Sequence, residues 1–166
     1  MGFLSGAYGK LIAGRRVRQI QNELTSVQMQ LTRATRQVGN MEKQLTAQEK
    51  SMNTMLKMQQ SAWNTGIYKA FADCGGMKNE AAYEKYMTKQ QEIQYQAAMA
   101  MECLTQVFEQ QRAMMLEPLK DLEDSLTLRK DSLESQLKLA EQQYEAKKKE
   151  EDAGAKTMTP QYTSQG

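Results

Sequence analysis

The amino-acid sequence predicts an all-α fold, an elongated helical hairpin or coiled coil whose second arm is kinked at Pro118. Three observations predict it. Of the 166 residues, 40% are hydrophobic and 7% aromatic, with a mean hydropathy of -0.74, a poor composition for an ordinary globular core. Apolar residues recur at alternating steps of three and four, the spacing of a coiled-coil helix. Glycines at positions 66, 75 and 76 then interrupt this spacing.

The first predicted segment, residues 1–16, is rich in glycine and ends in two arginines. Its large apolar side chains and the arginines around its end form a candidate docking surface: Phe3, Leu4, Tyr8, Arg15, Arg16 and Arg18. Such a segment can dock on a neighbouring subunit, or lie on a membrane surface with its arginines on anionic lipid. Because four glycines in the first fourteen residues disfavour a stable interfacial helix, docking on protein is favoured. A frayed end without function is the third alternative.

Residues 17–62 are predicted to form a coiled-coil helix, and they carry the strongest signal in the chain. Twelve positions follow one another at alternating steps of three and four, and all but one are apolar: Val17, Ile20, Leu24, Val27, Leu31, Ala34, Val38, Met41, Leu45, Gln48, Met52 and Met55. Neither a strand nor the broad face of a globular helix gives so strict a pattern. We interpret the apolar members as a seam that contacts a partner helix or a second copy.

Residues 63–78 are predicted to form a turn region with a short helix. Trp63 and Gly66 mark the first break, and Gly75 with Gly76 marks the second. Asn79 is then placed to cap a new helix, with Glu80 in its first turn.

The second arm is predicted over residues 79–152, with a kink at Pro118 because proline lacks a backbone donor and clashes with the preceding turn. After Pro118, apolar residues repeat at eleven positions, which predicts a straighter or slightly right-handed course. The pairs are Leu122 with Leu133, Leu126 with Leu137, and Leu133 with Tyr144. Residues 153–166 are rich in glycine, threonine, serine, proline and glutamine, and a disordered tail is predicted there.

The residue types present argue against catalysis. Histidine is absent, which removes the commonest general base and most zinc and haem sites. Cys74 and Cys103 are 29 residues apart without a metal-binding or redox spacing, and we expect idle thiols, with a single disulfide as the alternative. No glycine-rich phosphate loop is present. We therefore expect no enzyme, no catalytic residue, no cofactor and no metal.

Charge is unevenly distributed along the chain. Residues 1–60 carry 9 lysines and arginines against 3 acidic residues, whereas residues 61–166 carry 13 against 17. Opposed charge of this kind favours antiparallel docking within a chain or head-to-tail assembly between chains. Arg15, Arg16 and Arg18 stand at the start of the heptads, as the basic region of a basic leucine-zipper protein does, but the resemblance is weak. Nucleic acid is therefore disfavoured as a partner.

No conventional signal peptide and no membrane span are predicted, which favours a soluble chain, cytoplasmic or exported by a route without a signal. Peripheral membrane contact remains open. We expect a homo-oligomer or a complex with another helical protein, and a structural role in a filament, secretion apparatus, viral particle or scaffold. The alternative is a binding module that presents its Met-rich end, with Met52, Met55 and Met58, or its N-terminal segment to a partner protein or membrane surface.

Overall fold

The computed structural model describes residues 2–158 and confirms an all-α helical hairpin. Helix α1 spans Gly2–Asp73, a one-turn 3₁₀ helix spans Gly76–Lys78, and helix α2 spans Glu80–Met158. No strand occurs among the described residues. The chain divides into two compact units. The described part of unit 1 comprises residues 2–36 and 120–158, and unit 2 comprises Gln37–Leu119.

Unit 1 is held together by one row of apolar side chains from each helix. Six buried residues form its core: Ile20, Val27 and Ala34 from α1, and Leu126, Leu133 and Ala140 from α2. Val17, Leu24, Leu31 and Leu137 pack against them. In both helices the buried residues recur every seven positions. The predicted seam of α1 is therefore covered here by the same chain.

The eleven-residue repeat predicted after Pro118 does not describe how α2 packs in unit 1. Leu122 is exposed, while Leu126, Leu133 and Ala140 form a seven-residue row. The reason is the partner helix: the buried row of α1 has a seven-residue period, and side chains that interdigitate along a shared interface must keep the same period. Helix α2 is continuous across Pro118, and the kink stays a prediction.

Unit 2 begins with a second small core formed by Val38, Leu45 and Leu116, with Met41 and Leu119 packed against it. Beyond Leu45 the predicted seam is not the row that packs against α2 of the same chain. Gln48 is exposed, as are Met52 and Met55, whose exposed fractions are 43% and 62%. The less exposed row instead passes through Glu49, Asn53, Leu56 and Gln60.

A matched change of step in both helices explains this shift. From Leu45 the α1 row advances by four residues to Glu49 and again by four to Asn53, and the α2 row Leu104, Phe108, Arg112 and Leu116 also advances in fours. Extra four-residue steps unwind a coiled coil locally. The two rows meet at an ion pair between Arg112 Nη2 and Glu49 Oε2, 2.5 Å apart.

The hairpin turn lies later in the chain than predicted. Trp63 and Gly66 belong to α1, which continues to Asp73 because Phe71 stacks on Tyr86 of α2 with ring centroids 4.6 Å apart. The predicted break at the glycine pair is present. Gly75 has φ 101° and Gly76 has φ 62°, left-handed values that cost glycine least. The backbone of Asn79 is extended, and its carbonyl oxygen accepts a hydrogen bond from the backbone N–H of Tyr83. Helix α2 therefore begins at Glu80.

The glycine-rich N-terminal segment is helical and packs against the end of α2. A Cβ atom on Gly6 would lie 2.7 Å from the backbone nitrogen of Glu151, and one on Gly154 would lie 2.8 Å from Cα of Phe3. Glycine thus allows the two backbones to approach closely. This packing also explains why residues 153–158 are helical where a disordered tail was predicted. The rest of that predicted tail, 159–166, lies outside the described residues.

We expect Gly6→Ala and Gly154→Ala each to lower the free energy of unfolding by about 1–2 kcal/mol, because the added methyl group meets backbone that cannot move aside cheaply. Gly39→Ala is the matched control, since a Cβ there meets nothing within 4 Å. It should stabilise the protein by up to about 1 kcal/mol through helix propensity. Urea denaturation followed by circular dichroism measures all three. Equal stability of the Gly6 and Gly39 variants would contradict the close approach.

The change of step after Leu45 also has a direct test. Leu45→Ala should lower the free energy of unfolding by about 2–3 kcal/mol because it empties a buried position. Met55→Ala, in the same helix and on the predicted heptad, should change it by less than about 0.5 kcal/mol. Similar losses in the two variants would show that the heptad continues through Met55.

Candidate interaction surfaces

The predicted seam residues divide into two groups in the structure. Residues from Val17 to Leu45 are buried or half-buried against α2 of the same chain: Val17, Ile20, Leu24, Val27, Leu31, Val38, Met41 and Leu45. Met52 and Met55 are exposed, as is Met58. Within the hairpin, the seam from Val17 to Leu45 is therefore covered by α2 of the same chain.

The predicted docking residues lie almost entirely on the side of α1 that faces away from α2. Phe3 is half-buried beside Gly154, whereas Leu4 is 74% exposed and Tyr8 is 68% exposed. Leu11 and Ile12 extend the same surface, with exposed fractions of 54% and 50%. Positions 4, 8, 11 and 12 share one side of a helix because the helix repeats every ~3.6 residues. The same spacing is visible in the sequence. The docking surface predicted from the sequence contains Leu4 and Tyr8 but not Leu11 and Ile12.

Arginines continue this surface toward the middle of unit 1. Arg15 and Arg18 follow on the same side, and Arg33 and Arg36 repeat the arrangement about five turns later. All four are exposed, and none forms an ion pair with a residue that the structure describes. Glu23 is the only acidic residue in residues 2–36. We call Leu4, Tyr8, Leu11, Ile12, Arg15, Arg18, Arg33 and Arg36 the α1 outer face; Arg16 is exposed at its flank.

Lys10 is engaged differently from these arginines. Its Nζ lies 2.8 Å from Oε2 of Glu151 on α2, and this hydrogen bond and charge raise the pKa of Lys10. Lys10 therefore ties α1 to the end of α2. The arginines of the α1 outer face form no such ion pair with a described residue.

The side of α2 that faces away from α1 in unit 1 carries aspartates between residues 121 and 131, with Lys138 further along. Leu128 and Leu139 are 71% and 54% exposed there. Three exposed aspartates accompany them at helical spacing, Asp121, Asp124 and Asp131. We call these five residues the acidic α2 face. Like the α1 outer face, it contains two leucines that are more than half exposed. Its charged residues are acidic, whereas those of the α1 outer face are basic.

Unit 2 contains a groove along one side of the hairpin. Three clefts of about 360, 410 and 180 Å³ adjoin one another, since neighbouring clefts share Gly66, Ile67 and Lys89, or Trp63 and Gln96. Small residues form much of the lining: Ala62, Gly66 and Ala70 from α1, and Ala82, Ala97 and Ala100 from α2. We call the combined clefts the hairpin groove.

The lining of the hairpin groove is mostly apolar, with glutamines among its polar residues, and its charged residues are mainly basic. Lys57, Lys85 and Lys89 line it against one acidic residue, Glu92. The stacked Phe71 and Tyr86 close it near the turn, where Cys74 also lines it. The spacing of Ala62, Gly66 and Ala70 by four is visible in the sequence. Their neighbours on α2 depend on the pairing of the two helices, so sequence reasoning missed the groove.

Other features of the described residues bear on the remaining expectations. Cys74 and Cys103 are both free and exposed, so the disulfide alternative is not realised. Across residues 2–158, neither helix contains a stretch apolar and long enough to cross a bilayer. No cluster of three potential metal ligands occurs in the same range.

The chain matches no protein-family model, and searches of curated proteins and of solved structures gave no match. The surfaces themselves therefore carry the functional argument.

Proposed function

We propose that the chain is a non-enzymatic assembly protein whose copies join through the hairpin groove. The groove carries this proposal: its three adjoining clefts have a mostly apolar lining in which alanines and glycine alternate with larger side chains, and three lysines line them against one glutamate. Side chains as small as alanine and glycine let a further helix approach closely. A two-helix hairpin leaves this side open, and a helix from another molecule would complete a three-helix core.

The acidic α2 face of a second copy fits the groove in shape and in charge. The outward side of a helix is convex, and Leu128 and Leu139 can enter a concave apolar channel. Asp121, Asp124 and Asp131 would then face Lys57, Lys85 and Lys89 at the groove edges. Because groove and face are different patches, the contact is heterologous, and repetition gives a ring or a filament.

A binding module is the second candidate, and the exposed methionines favour it. Met52, Met55 and Met58 lie on the surface of α1 in unit 2, and none of them lines the described clefts. Flexible, polarisable methionine side chains adapt to several partner shapes. A module of this kind stays a monomer on its own at every concentration, whereas an assembling chain does not.

The test is size-exclusion chromatography with light scattering over a concentration series. The wild-type mass should rise with concentration, and salt of about 0.5 M should weaken the assembly because lysine–aspartate attraction is screened. Gly66→Glu should raise the concentration needed for assembly at least tenfold by placing a charged side chain in the groove. Gly66→Ala is its matched control, since a Cβ at this position meets nothing within 4 Å.

A mixing experiment identifies the second patch. Leu128→Ser combined with Leu139→Ser should also block assembly, because it removes the leucines that enter the groove. This double variant keeps a working groove, and Gly66→Glu keeps a working acidic face. An equimolar mixture of the two should therefore give a heterodimer and nothing larger. A mixture that remains monomeric would contradict the pairing of groove and face.

Thiol labelling gives an independent readout of the same contact. Cys74 lines the groove and Cys103 does not. In single-thiol variants, assembly should slow maleimide labelling of Cys74 several-fold and leave labelling of Cys103 unchanged. Equal protection of the two thiols, or a wild-type chain that is monomeric throughout the series, would reject assembly through the groove.

A further inference from the structure

We propose that the α1 outer face binds the surface of an anionic lipid bilayer. This inference does not depend on assembly through the groove, because the two surfaces share no residue. It rests on three features of unit 1: a compact cluster of exposed apolar side chains, a line of unpaired arginines on the same side of the helix, and a helix already formed by packing.

The apolar cluster has the composition and depth of an interfacial anchor. Leu4, Tyr8, Leu11 and Ile12 lie within about three turns of α1, and each is at least 50% exposed. Helices that lie in the plane of a bilayer place leucine and isoleucine among the acyl chains and tyrosine at the headgroup level. The cluster is therefore suited to entering the boundary between headgroups and acyl chains.

The arginines supply the charge that such an anchor uses. Arg15 and Arg18 adjoin the apolar cluster, and Arg33 and Arg36 lie further along the same side. From Leu4 to Arg36 the face extends about 48 Å along the helix. None of these arginines is neutralised by a described acidic residue, so all four remain to meet lipid phosphates.

A bilayer suits this face better than another copy of the chain does. The acidic α2 face has comparable exposed leucines and complementary charge, but both faces are convex and two convex helices touch along one narrow line. Leu128 and Leu139 are also eleven residues apart, whereas the α1 cluster is compact. A deformable surface can cover a compact convex cluster completely.

The glycines of this segment do not oppose the inference. Glycine disfavours an interfacial helix that must form on the membrane. Here Gly6 lies against the backbone of Glu151, and Gly9 against the side chain of Lys147, so α1 is helical before it meets lipid. The glycines face α2, and the side chains suited to lipid face outward.

The experiment is sedimentation of the full chain with large vesicles, at a protein concentration where light scattering shows a monomer. Vesicles of phosphatidylcholine with about one third phosphatidylglycerol should bind the chain at least tenfold more tightly than pure phosphatidylcholine, and about 0.5 M salt should reduce binding. Equal binding to the two vesicle types, or no binding to the anionic vesicles, would overturn the proposal.

Matched variants assign the binding to this face. Leu4→Ser with Leu11→Ser should reduce vesicle affinity at least tenfold. With both double variants made in the Gly66→Glu background, which does not assemble in our proposal, Leu128→Ser with Leu139→Ser removes leucines of nearly the same exposure from the acidic α2 face and should leave the affinity unchanged. Arg15→Gln with Arg18→Gln should lower the affinity about fivefold for each charge. If the two leucine double variants lost vesicle affinity equally, the assignment would be overturned. The same holds if the α1 variants altered self-association and left vesicle binding intact.

Fluorescence reports the orientation of the bound chain. Trp63 is the single tryptophan, so Trp63→Phe provides a silent background. In that background, Leu11→Trp should shift its emission to the blue on anionic vesicles, and Leu128→Trp should not. Shifts of equal size would contradict docking through the α1 outer face.

Discussion

The structure depends on one constraint: each helix of a hairpin has a single row of side chains to bury, and the two rows must advance with the same period. In unit 1 both rows repeat every seven residues, through Val27 and Ala34 on α1 and Leu126 and Leu133 on α2. In unit 2 both rows take steps of four around Glu49 and Arg112. In unit 2 the sequence of either helix alone allows more than one row, and packing against the partner helix selects the row that is buried.

This constraint explains which parts of the fold the sequence predicted. The spacing from Val17 to Leu45 has one apolar row and therefore one solution, and Gly75 with Gly76 supplies left-handed backbone at the turn. After Leu45, the methionines at positions 52 and 55 continue the heptad, but the row that faces α2 passes through Glu49. Glu49 is half-buried in that row and forms an ion pair with Arg112 opposite, and the sequence of one helix does not show what lies opposite it.

Glycine was misread for the same reason. Within a single helix, glycine indicates a break or a flexible end, and Gly66 and the N-terminal segment were interpreted in this way. The structure gives Gly6 and Gly154 a tertiary role, since each admits the backbone of the other helix. Gly66 has open space around it and lies in the hairpin groove, where the absence of a side chain creates room for another molecule. Of the candidate surfaces, the α1 outer face was therefore predictable from helical spacing, and the hairpin groove was not.

The small core of a two-helix hairpin also explains why the chain exposes several surfaces. A helix in a larger bundle buries a broad stripe, whereas each helix here buries one row and leaves the opposite side to solvent. Apolar residues on that opposite side do not pack against the partner helix. The α1 outer face combines leucine and tyrosine with arginine, and the acidic α2 face combines leucine with aspartate. Opposite charge on two otherwise comparable faces favours a different partner for each: the groove of another copy in our proposal for the acidic α2 face, and an anionic bilayer in our proposal for the α1 outer face.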